Sequence, residues 1–244
     1  MRILRIVTRL NTGGPARHLT ALSQALDSDR YEQWLAAGRE GAREGSMRSF
    51  VEGQGVRLTL VPEMVGTSRL GPADVWALAR IRRMIRDVRP DIVETHTTKA
   101  GIVGRLAARL EGSPVVVHVY HGHVLEGHYG AVKTRLARCA ERLLARASDR
   151  LLAVSARVKD DLVRLKVASP ELLSAALFQS GRCGERACDS GMTSALLVNV
   201  FPENRRVVMS APVKSSRIGG VRWLACWSSP CPSRPRSPRW PDSR

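Results

Sequence analysis

Short apolar runs alternate with longer stretches of helical periodicity over the first 171 residues, and this alternation constrains the fold more than any other feature of the sequence. The apolar runs, which are rich in Val, Ile and Leu, fall at residues 3–7, 35–37, 56–61, 92–93, 115–119 and 151–154. Strands that are apolar on both faces are typical of parallel sheets that helices cover on each side. The pattern therefore predicts an α/β domain over residues 1–171, built on a doubly wound parallel sheet.

Two of the intervening stretches combine apolar residues at helical spacing with many arginines. In residues 75–88 the predicted apolar stripe includes Ile81 and Ile85. In residues 132–147 the residues that we expect to face inward are Leu136, Cys139, Leu143, Leu144 and Ala147. The favoured interpretation is that both stripes pack on the sheet. The alternative is that these helices lie on an anionic membrane, because a cationic face beside an apolar stripe is typical of interfacial helices.

The sequence changes character after Glu171. Residues 172–244 hold four of the five cysteines and seven of the thirteen prolines, and no sustained helical or strand periodicity persists beyond Val208. The five prolines of residues 230–241 exclude a helix or a central strand at the end of the chain. We therefore expect an irregular, largely disordered basic tail over residues 172–244. Its abrupt enrichment in Ser, Arg, Pro, Cys and Trp favours out-of-frame translation over a natural linker.

Charge and composition narrow the class of protein. The net charge of +17 favours anionic partners, which are phosphates, nucleic acid or an acidic membrane surface. Five cysteines are too few for a secreted disulfide scaffold of this length. No apolar run reaches the roughly 18–20 residues of a membrane span, and the N-terminus does not resemble a signal peptide. We therefore expect a cytoplasmic chain.

A glycine pair follows the first predicted strand and precedes a helix. At such a turn, Gly13 and Gly14 let a ligand approach the backbone closely, and the N–H groups of the helix attract a phosphate. Pro15 is suited to the first helical turn. The loop lacks both the G-x-G-x-x-G spacing and the Walker lysine. A phosphate-binding loop and a plain tight turn therefore both remain open.

Polar side chains also follow two later strands. His96, Thr97 and Lys99 come at the end of one strand, where ligands bind in sheets of this type, although Thr97 also suits a helix cap. Four of the six histidines lie within residues 118–128, and alternation sends His121 and His123 to the same side. Without a nearby cysteine or an H-E-x-x-H helix, we expect no metal here. A catalytic or sugar-positioning role is favoured over ordinary loop packing.

Three segments taken together resemble a known family, and they are NTGGPARHLTAL, RPDIVETHTTKAGIVGRLAARLEGSPVVVHVYHGHVLEG and KTRLARCAERLLARASDRLLAVSARVKDDLVRL. They look like the N-terminal, acceptor-side half of a family 4, GT-B glycosyltransferase, similar to bacterial enzymes of exopolysaccharide or lipopolysaccharide assembly. The resemblance covers residues 1–171. It implies a Rossmann-like domain that faces a second domain across a cleft, and sugar transfer that retains anomeric configuration without a metal.

The resemblance also implies roles for individual residues. Gly13 and Gly14 match the loop that faces the donor diphosphate, and His121 matches the catalytic histidine near the reacting sugar. The residues expected to line the acceptor side of the cleft are His96, Thr97, Lys99, His123 and Glu126. The implied donor is a UDP- or GDP-sugar, which is a substrate, and no cofactor is implied. The implied acceptor is a saccharide or a lipid-linked saccharide, reached by peripheral contact with the inner face of the cytoplasmic membrane.

The sequence departs from this family after the first domain. The family continues with a domain that carries an Arg/Lys pair and a Glu-x7-Glu signature, and residues 172–244 contain no such signature. We therefore expect a truncated or frameshifted enzyme that is inactive by itself. One alternative is an inactive acceptor-binding or scaffold domain. The other is a basic nucleic-acid-binding protein, but nucleic acid is not the expected partner because aromatic residues are few and no nucleic-acid motif is present.

Overall fold

Seven parallel strands form one sheet with helices on both of its faces. The computed structural model describes residues 1–26, 29–41, 44–53, 56–66, 70–122 and 130–175, together with the backbone of residues 216–218 and 221–223. The strands of this sheet are β1 (Arg2–Val7), β2 (Glu32–Arg39), β3 (Arg57–Val65), β4 (Ile92–His96), β5 (Val115–Tyr120), β6 (Arg150–Ala153) and β7 (Leu173–Ala175). The helices are α1 (Gly14–Ala25), α2 (Arg48–Glu52), α3 (Ala73–Val88), α4 (Thr98–Leu110), α5 (Ala131–Arg146) and α6 (Ala156–Arg164).

The strands lie in the order β3-β2-β1-β4-β5-β6-β7, and each neighbouring pair is parallel. The chain builds one half of the sheet outward from β1 to β3. It then crosses back through α3 to β4 and builds the other half outward to β7. This reversal between β1 and β4 is the switch point of a doubly wound sheet. The predicted fold class is therefore confirmed.

Alternate residues of each strand pack beneath different helices, which explains why the strands are apolar on both faces. On one face, Leu4 and Ile6 of β1 belong to a buried cluster with Ile81 of α3. On the other face, Val7 of β1 packs in a cluster with Leu19 of α1. The two layers leave the loops at the strand ends as the exposed rims of the sheet.

The helix α4 lies unusually close to the sheet. A Cβ atom on Gly104 would be 2.6 Å from Thr95 Cγ2 and 3.1 Å from Ile6 Cδ1, so a larger residue would push the helix away. This approach buries the next residue, Arg105, completely. A buried guanidinium requires partners because an isolated charge is costly in the protein interior.

Glu141 of α5 is the acidic partner of Arg105. Arg105 Nη2 lies 3.1 Å from Glu141 Oε2, and Arg105 Nε donates a hydrogen bond to the Gly101 carbonyl. Tyr120 at the end of β5 donates its hydroxyl to the same carboxylate oxygen at 2.9 Å. Burial, with the nearby Glu141 carboxylate, raises the pKa of Tyr120 and keeps it a donor. This network fixes the rotation of α5 about its own axis.

The orientation of α5 differs from the prediction. Leu136, Cys139 and Leu143 were expected to face inward, but all three are exposed. The side that packs against the sheet carries Glu141 and Ala145 instead. The prediction was wrong because periodicity counts leucines as core residues, whereas here a buried arginine on the neighbouring helix holds the glutamate side inward.

The sheet continues four residues past the boundary expected at residue 171. Strand β7 pairs with β6, and its Leu173 is buried. Beyond it, the strands β8 (Ser216–Ile218) and β9 (Val221–Trp223) form an antiparallel pair. The remainder of the predicted tail lies outside the described residues. Among the helices of the described ranges, none combines the length and hydrophobicity of a membrane span.

Candidate functional site

The carboxyl ends of β1, β4 and β5 meet at one rim of the sheet, at its switch point. The register aligns Val7 with His96 and His96 with Val119 across these three strands. The loops that leave them therefore start side by side, and the N-terminus of α1 follows the loop after β1. Ligands of doubly wound folds bind in the crevice at this position.

Three histidines from three different elements come together at this rim. His96 Nδ1 of β4 lies 3.0 Å from Nε2 of His121, which directly follows β5. The ring of His18, in the second turn of α1, is 5.3 Å from the His121 ring and 6.0 Å from the His96 ring between centroids. His96 and His18 are buried. Across the described part of the chain, no group of three or more His, Cys, Asp or Glu side chains has an arrangement that could hold a metal ion.

A buried ion pair lies under the histidines. Arg5 and Glu94 are opposite each other in the β1–β4 register, and Arg5 Nε lies 2.8 Å from Glu94 Oε2. The other carboxylate oxygen, Glu94 Oε1, is 3.5 Å from His96 Nε2. Arg5 Nη1 also donates to the side-chain carbonyl of Gln33 at 2.6 Å. A row of polar groups thus extends from the middle of the sheet to His121, with a gap in its hydrogen bonds between Glu94 and His96.

Burial keeps these imidazoles neutral. Desolvation lowers the pKa of His121 to about 4 and, together with the nearby His121 and Arg5, lowers that of His18 to about 3. Desolvation likewise holds the pKa of His96 well below its usual range. At neutral pH the cluster therefore consists of hydrogen-bond donors and acceptors and carries no imidazolium charge.

The row of polar groups also favours one arrangement of protons. Glu94 Oε1 and His96 Nε2, 3.5 Å apart, form no hydrogen bond, but we expect the negative carboxylate to favour the His96 tautomer that carries its proton on Nε2. His96 Nδ1 is then the acceptor for a proton on His121 Nε2. This leaves His121 Nδ1 as a hydrogen-bond acceptor. Gly122, at φ 148°, lies in backbone space that favours glycine and turns the chain immediately after His121.

Thr97 ties β4 to β1. Its hydroxyl lies 2.6 Å from the hydroxyl of Thr8, and Thr8 in turn accepts a hydrogen bond from the backbone N–H of Ala100 at 3.0 Å. Thr97 has φ 66°, which is strained for a β-branched residue. Strained backbone of this kind occurs at functional sites, where the surrounding structure holds it in place. Thr97 stands at the N-cap position of α4, as the sequence suggested, but its side chain accepts no cap hydrogen bond and lies instead at the junction of β1 and β4.

Lys99 is buried, and its ammonium lies 3.1 Å from Asp74 Oδ1 of α3. Asp74 also accepts a hydrogen bond from the backbone N–H of Gly71 at 2.7 Å through its other oxygen. The charge of Lys99 is therefore balanced within the domain, and the pair joins the N-terminal ends of α3 and α4. His123 and Glu126, the other two residues expected to line the cleft, lie outside the described residues.

The N-terminus of α1 is open. Within this fully described turn, no side chain caps the helix, and no acidic residue stands in its first turn. Apart from its chain neighbours, a Cβ atom on Gly14 would meet none of the described residues within 4 Å, and one on Gly13 would meet only Pro15 Cδ, at 3.8 Å, among them. Internal packing therefore does not require glycine at either position. The open backbone leaves room for an anionic ligand at the helix terminus.

Three residues of the site were not singled out by the sequence analysis, namely His18, Arg5 and Glu94. The one available signal was that a single charged residue lies in or directly after each of two apolar runs, Arg5 in the first and Glu94 after the other. The structure places these two residues opposite each other in the β1–β4 register. His18 gave no separate signal because a single histidine on an amphipathic helix is compatible with either burial or exposure.

Comparison with known proteins assigns the family. The sequence profile of the glycosyl transferase 4-like domain matches residues 13–173, which is more than half of the chain. An Escherichia coli protein, UDP-Gal:alpha-D-GlcNAc-diphosphoundecaprenol alpha-1,3-galactosyltransferase, is 31% identical over 101 residues, which are 41% of this chain and 26% of that protein.

Solved structures share the fold at low sequence identity. UDP-GlcNAc 2-epimerase from Neisseria meningitidis, bound to UDP-GlcNAc, superposes with a TM-score of 0.53 at 16% identity, over 72% of this chain and 46% of that one. The lipopolysaccharide outer core galactosyltransferase WaaB, in its apo form, gives a TM-score of 0.50 at 15% identity, over 71% and 44%. The chain thus spans about a quarter of the curated relative and less than half of these structures. Its residues 13–173 make it a member of the glycosyl transferase 4-like domain family of GT-B glycosyltransferases.

Proposed function

We propose that this chain carries the acceptor-side half of a retaining, metal-independent glycosyltransferase, which transfers a sugar from a UDP- or GDP-sugar to a saccharide in cell-surface polysaccharide assembly. The observation that carries the proposal is the hydrogen bond between His96 and His121 at the switch point, beside the first turns of α1. This arrangement brings a neutral imidazole and an open helix N-terminus to the same rim.

The helix N-terminus suits the leaving group of this reaction. Transfer breaks the bond between the anomeric carbon and the diphosphate, and negative charge develops on the departing oxygen. The free N–H groups of the first turn of α1, with the positive end of the helix dipole, stabilise such charge. Gly13 and Gly14 allow the diphosphate to approach because neither carries a side chain that would cover these groups.

In this proposal His121 is a hydrogen-bond partner of sugar hydroxyls at the reacting centre, where the donor sugar and the acceptor saccharide meet. With its Nε2–H group donating a hydrogen bond to His96, its Nδ1 accepts a hydrogen bond from a sugar hydroxyl. Thr97 and Lys99 act indirectly, since they fix the start of α4 at the rim. His123 and Glu126 follow His121 along the chain, and the proposal gives them the acceptor side of the cleft.

The acceptor in this proposal is a saccharide joined to a lipid diphosphate. The curated relative from Escherichia coli, by its name, acts on GlcNAc-diphosphoundecaprenol, which supports this class of acceptor. Such a lipid stays in the bilayer, so the enzyme would work in peripheral contact with the inner face of the cytoplasmic membrane. The match covers 26% of that relative, so its donor and its linkage are not carried over.

A second candidate is acceptor binding without transfer. It requires only the polar rim that His96 and His121 form, because neutral imidazoles can bind sugar hydroxyls whether or not a donor is bound. In that case the same rim binds the saccharide and no sugar is transferred.

The test separates the two candidates. The purified full chain is titrated with a fluorescent GlcNAc-diphosphate that carries a short lipid, and transfer from UDP-galactose or GDP-mannose is followed by mass spectrometry. We expect His121→Ala to weaken acceptor binding by about tenfold, the equivalent of one lost hydrogen bond. Arg83→Ala, an exposed residue of α3, serves as the control and is expected to bind normally.

Each outcome decides between the proposals. Transfer by the chain supports the complete enzymatic function. Acceptor binding without transfer supports the second candidate. Binding that is equal in His121→Ala and Arg83→Ala overturns the role of the histidine rim.

A further inference from the structure

The helix α5 exposes a continuous apolar row. Val132, Leu136 and Leu143 are 73%, 65% and 64% exposed, and Cys139 between them is exposed as well. Their spacing of four, three and four residues puts them on one line along the helix. The row extends over three turns, which is about 16 Å at 1.5 Å per residue. Helices of globular proteins normally turn such a row towards the core.

The buried ion pair prevents this row from turning inward. Glu141 lies on the opposite side of α5 and accepts hydrogen bonds from Arg105 and Tyr120. Rotation of the helix would place Glu141 in solvent and leave the buried Arg105 guanidinium without its carboxylate partner. The small Ala145 beside it keeps the helix close to the sheet. The apolar row is therefore exposed because the Arg105–Glu141 ion pair sets the orientation of α5, and the row does not pack in the core.

Basic side chains border the row. Lys133, Arg135 and Arg146 are exposed on α5, and the only acidic residue of the helix is the buried Glu141. Helical geometry puts Arg135 and Arg146 within about one residue position of the row around the helix axis. The neighbouring helix α4, on the same face of the sheet, exposes two further leucines, Leu106 and Leu110. The surface is thus apolar along its centre and cationic at its border.

We propose that this α5 face, made of Val132, Leu136, Cys139 and Leu143 with its basic border, docks on an anionic lipid bilayer. The helix lies in the plane of the interface, with the apolar row among the acyl chains and the basic side chains at the headgroups. The exposed residues of the helix include no acid, which gives the charge complementarity that an anionic surface requires. A row one residue wide suits shallow insertion.

The position of α5 connects this surface with the site. The helix begins at Ala131, after the carboxyl end of β5, so its N-terminus lies at the rim that carries His121. Docking through α5 therefore holds that rim next to the bilayer surface. This last step rests on the proposed function, since it gives the lipid-linked acceptor access to the cleft.

The test measures co-sedimentation of the full chain with vesicles of 7:3 phosphatidylcholine and phosphatidylglycerol that contain no acceptor lipid. Leu136→Ser/Leu143→Ser is compared with Leu60→Ser/Val65→Ser, two apolar residues of β3 that are each 38% exposed. We expect the α5 variant to lose at least about tenfold in partitioning, the control to bind like the wild type, and 0.5 M salt to weaken binding. Circular dichroism verifies that both variants fold.

A second measurement separates α5 from the basic tail, which also attracts anionic lipid. The four tail cysteines, Cys183, Cys188, Cys226 and Cys231, are replaced by serine, and an environment-sensitive dye is attached to Cys139. A blue shift on vesicle addition, with quenching by nitroxide-labelled lipid, supports the proposal. Vesicle binding without a blue shift overturns it and assigns binding to the tail.

Dimerisation that the α5 variant abolishes, with vesicle binding unchanged, overturns the proposal in favour of an interface between copies of this chain. Neither readout involves sugar transfer, so failure here is distinct from failure of the proposed function.

Discussion

His96 Nδ1 lies 3.0 Å from His121 Nε2, so two neutral imidazoles at the ends of neighbouring strands share one hydrogen bond. The tautomer of one ring then determines that of the other. Glu94 Oε1 lies 3.5 Å from the far nitrogen of His96, a distance at which the two atoms form no hydrogen bond in this structure. We expect this carboxylate, two residues before the strand end, to favour a proton on His96 Nε2 and so to leave His121 Nδ1 for a ligand.

Glu94→Gln is expected to disturb this order of protons. The amide of glutamine can donate as well as accept, so it removes the preference for a proton on His96 Nε2. Long-range ¹H–¹⁵N spectra of the imidazoles should show His121 protonated on Nε2 in the wild type and a mixture of tautomers in the variant. His118, whose Nδ1 faces Thr95 Oγ1 at 2.9 Å on the other side of the sheet, is the internal control. An unchanged His121 tautomer in a folded variant would contradict the positioning role of Glu94.

Gly14→Val is expected to separate folding from phosphate binding. Among the described residues, a Cβ atom at this position meets nothing within 4 Å beyond its chain neighbours, but a side chain directly before Pro15 disfavours the helical backbone of residue 14. We therefore expect the free energy of unfolding to fall by about 1–2 kcal/mol while the variant still folds. The new side chain would, however, cover the N–H groups of the first turn of α1. A ¹⁵N-resolved titration with UDP should move the amide signals of Ala16 and Arg17 in the wild type and leave them in place in the variant. Equal shifts in both proteins would exclude α1 as the diphosphate site.

The sheet could be predicted from the sequence because its physical cause is local. Runs of branched apolar residues that alternate with amphipathic stretches leave few other arrangements, and residues 92–93 and 115–119 both proved to be central strands. The location of the site followed from the same pattern, since polar residues after parallel strands meet at one rim. His96 and His121 each follow a strand of this pattern, but their contact at 3.0 Å is a finding of the structure.

Features that depend on pairing across the fold were not predictable in this way. The periodicity of α5 pointed Leu136 and Leu143 inward, because nothing near them in the sequence reveals that Arg105 will be buried and require Glu141. Lys99 was expected as a cation of the cleft, whereas the structure gives it Asp74, 25 residues earlier in the chain, as a partner. A charge balanced by a distant residue leaves no periodic signal.

Glu141→Ala is expected to destabilise the domain strongly. Removal of one partner from a buried ion pair leaves the other charge uncompensated, which costs about 3–5 kcal/mol. The exposed pair between Arg80 and Glu63 gives the matched control, because loss of such a surface bridge costs at most about 1 kcal/mol. Urea unfolding of Glu141→Ala and Glu63→Ala measures both values. Similar midpoints for the two variants would show that Arg105 finds another partner, and that α5 is free to rotate.

Stability is expected to fall as the pH is lowered from about 6.5 towards 4. The pKa of His121 is lowered to about 4 and that of His18 to about 3, while an unfolded histidine titrates near 6.5. Between these values the unfolded chain binds more protons than the folded one, so acid favours unfolding. At pH 5, protonation of His121 in the unfolded chain alone lowers the free energy of unfolding by about 2 kcal/mol. This follows because pH 5 is about 1.5 units below the unfolded pKa, and each unit is equivalent to about 1.4 kcal/mol. The pKa values of the Glu63 and Glu111 carboxyls are also lowered in the folded chain. Their contribution to stability is lost only as the pH falls below their ordinary pKa of 4.5, which lies below the pH range of the unfolding experiment.

Urea unfolding followed by circular dichroism at pH 7.5, 6.5, 5.5 and 5.0 measures this dependence, and His121→Asn supplies the comparison. Asparagine cannot be protonated in this range, so the stability of the variant should fall less steeply with acid than that of the wild type. Parallel slopes for the two proteins would show that His121 titrates normally in the folded chain. Its imidazole would then be partly charged at neutral pH, and the neutral histidine row that positions His121 towards a sugar hydroxyl would not exist.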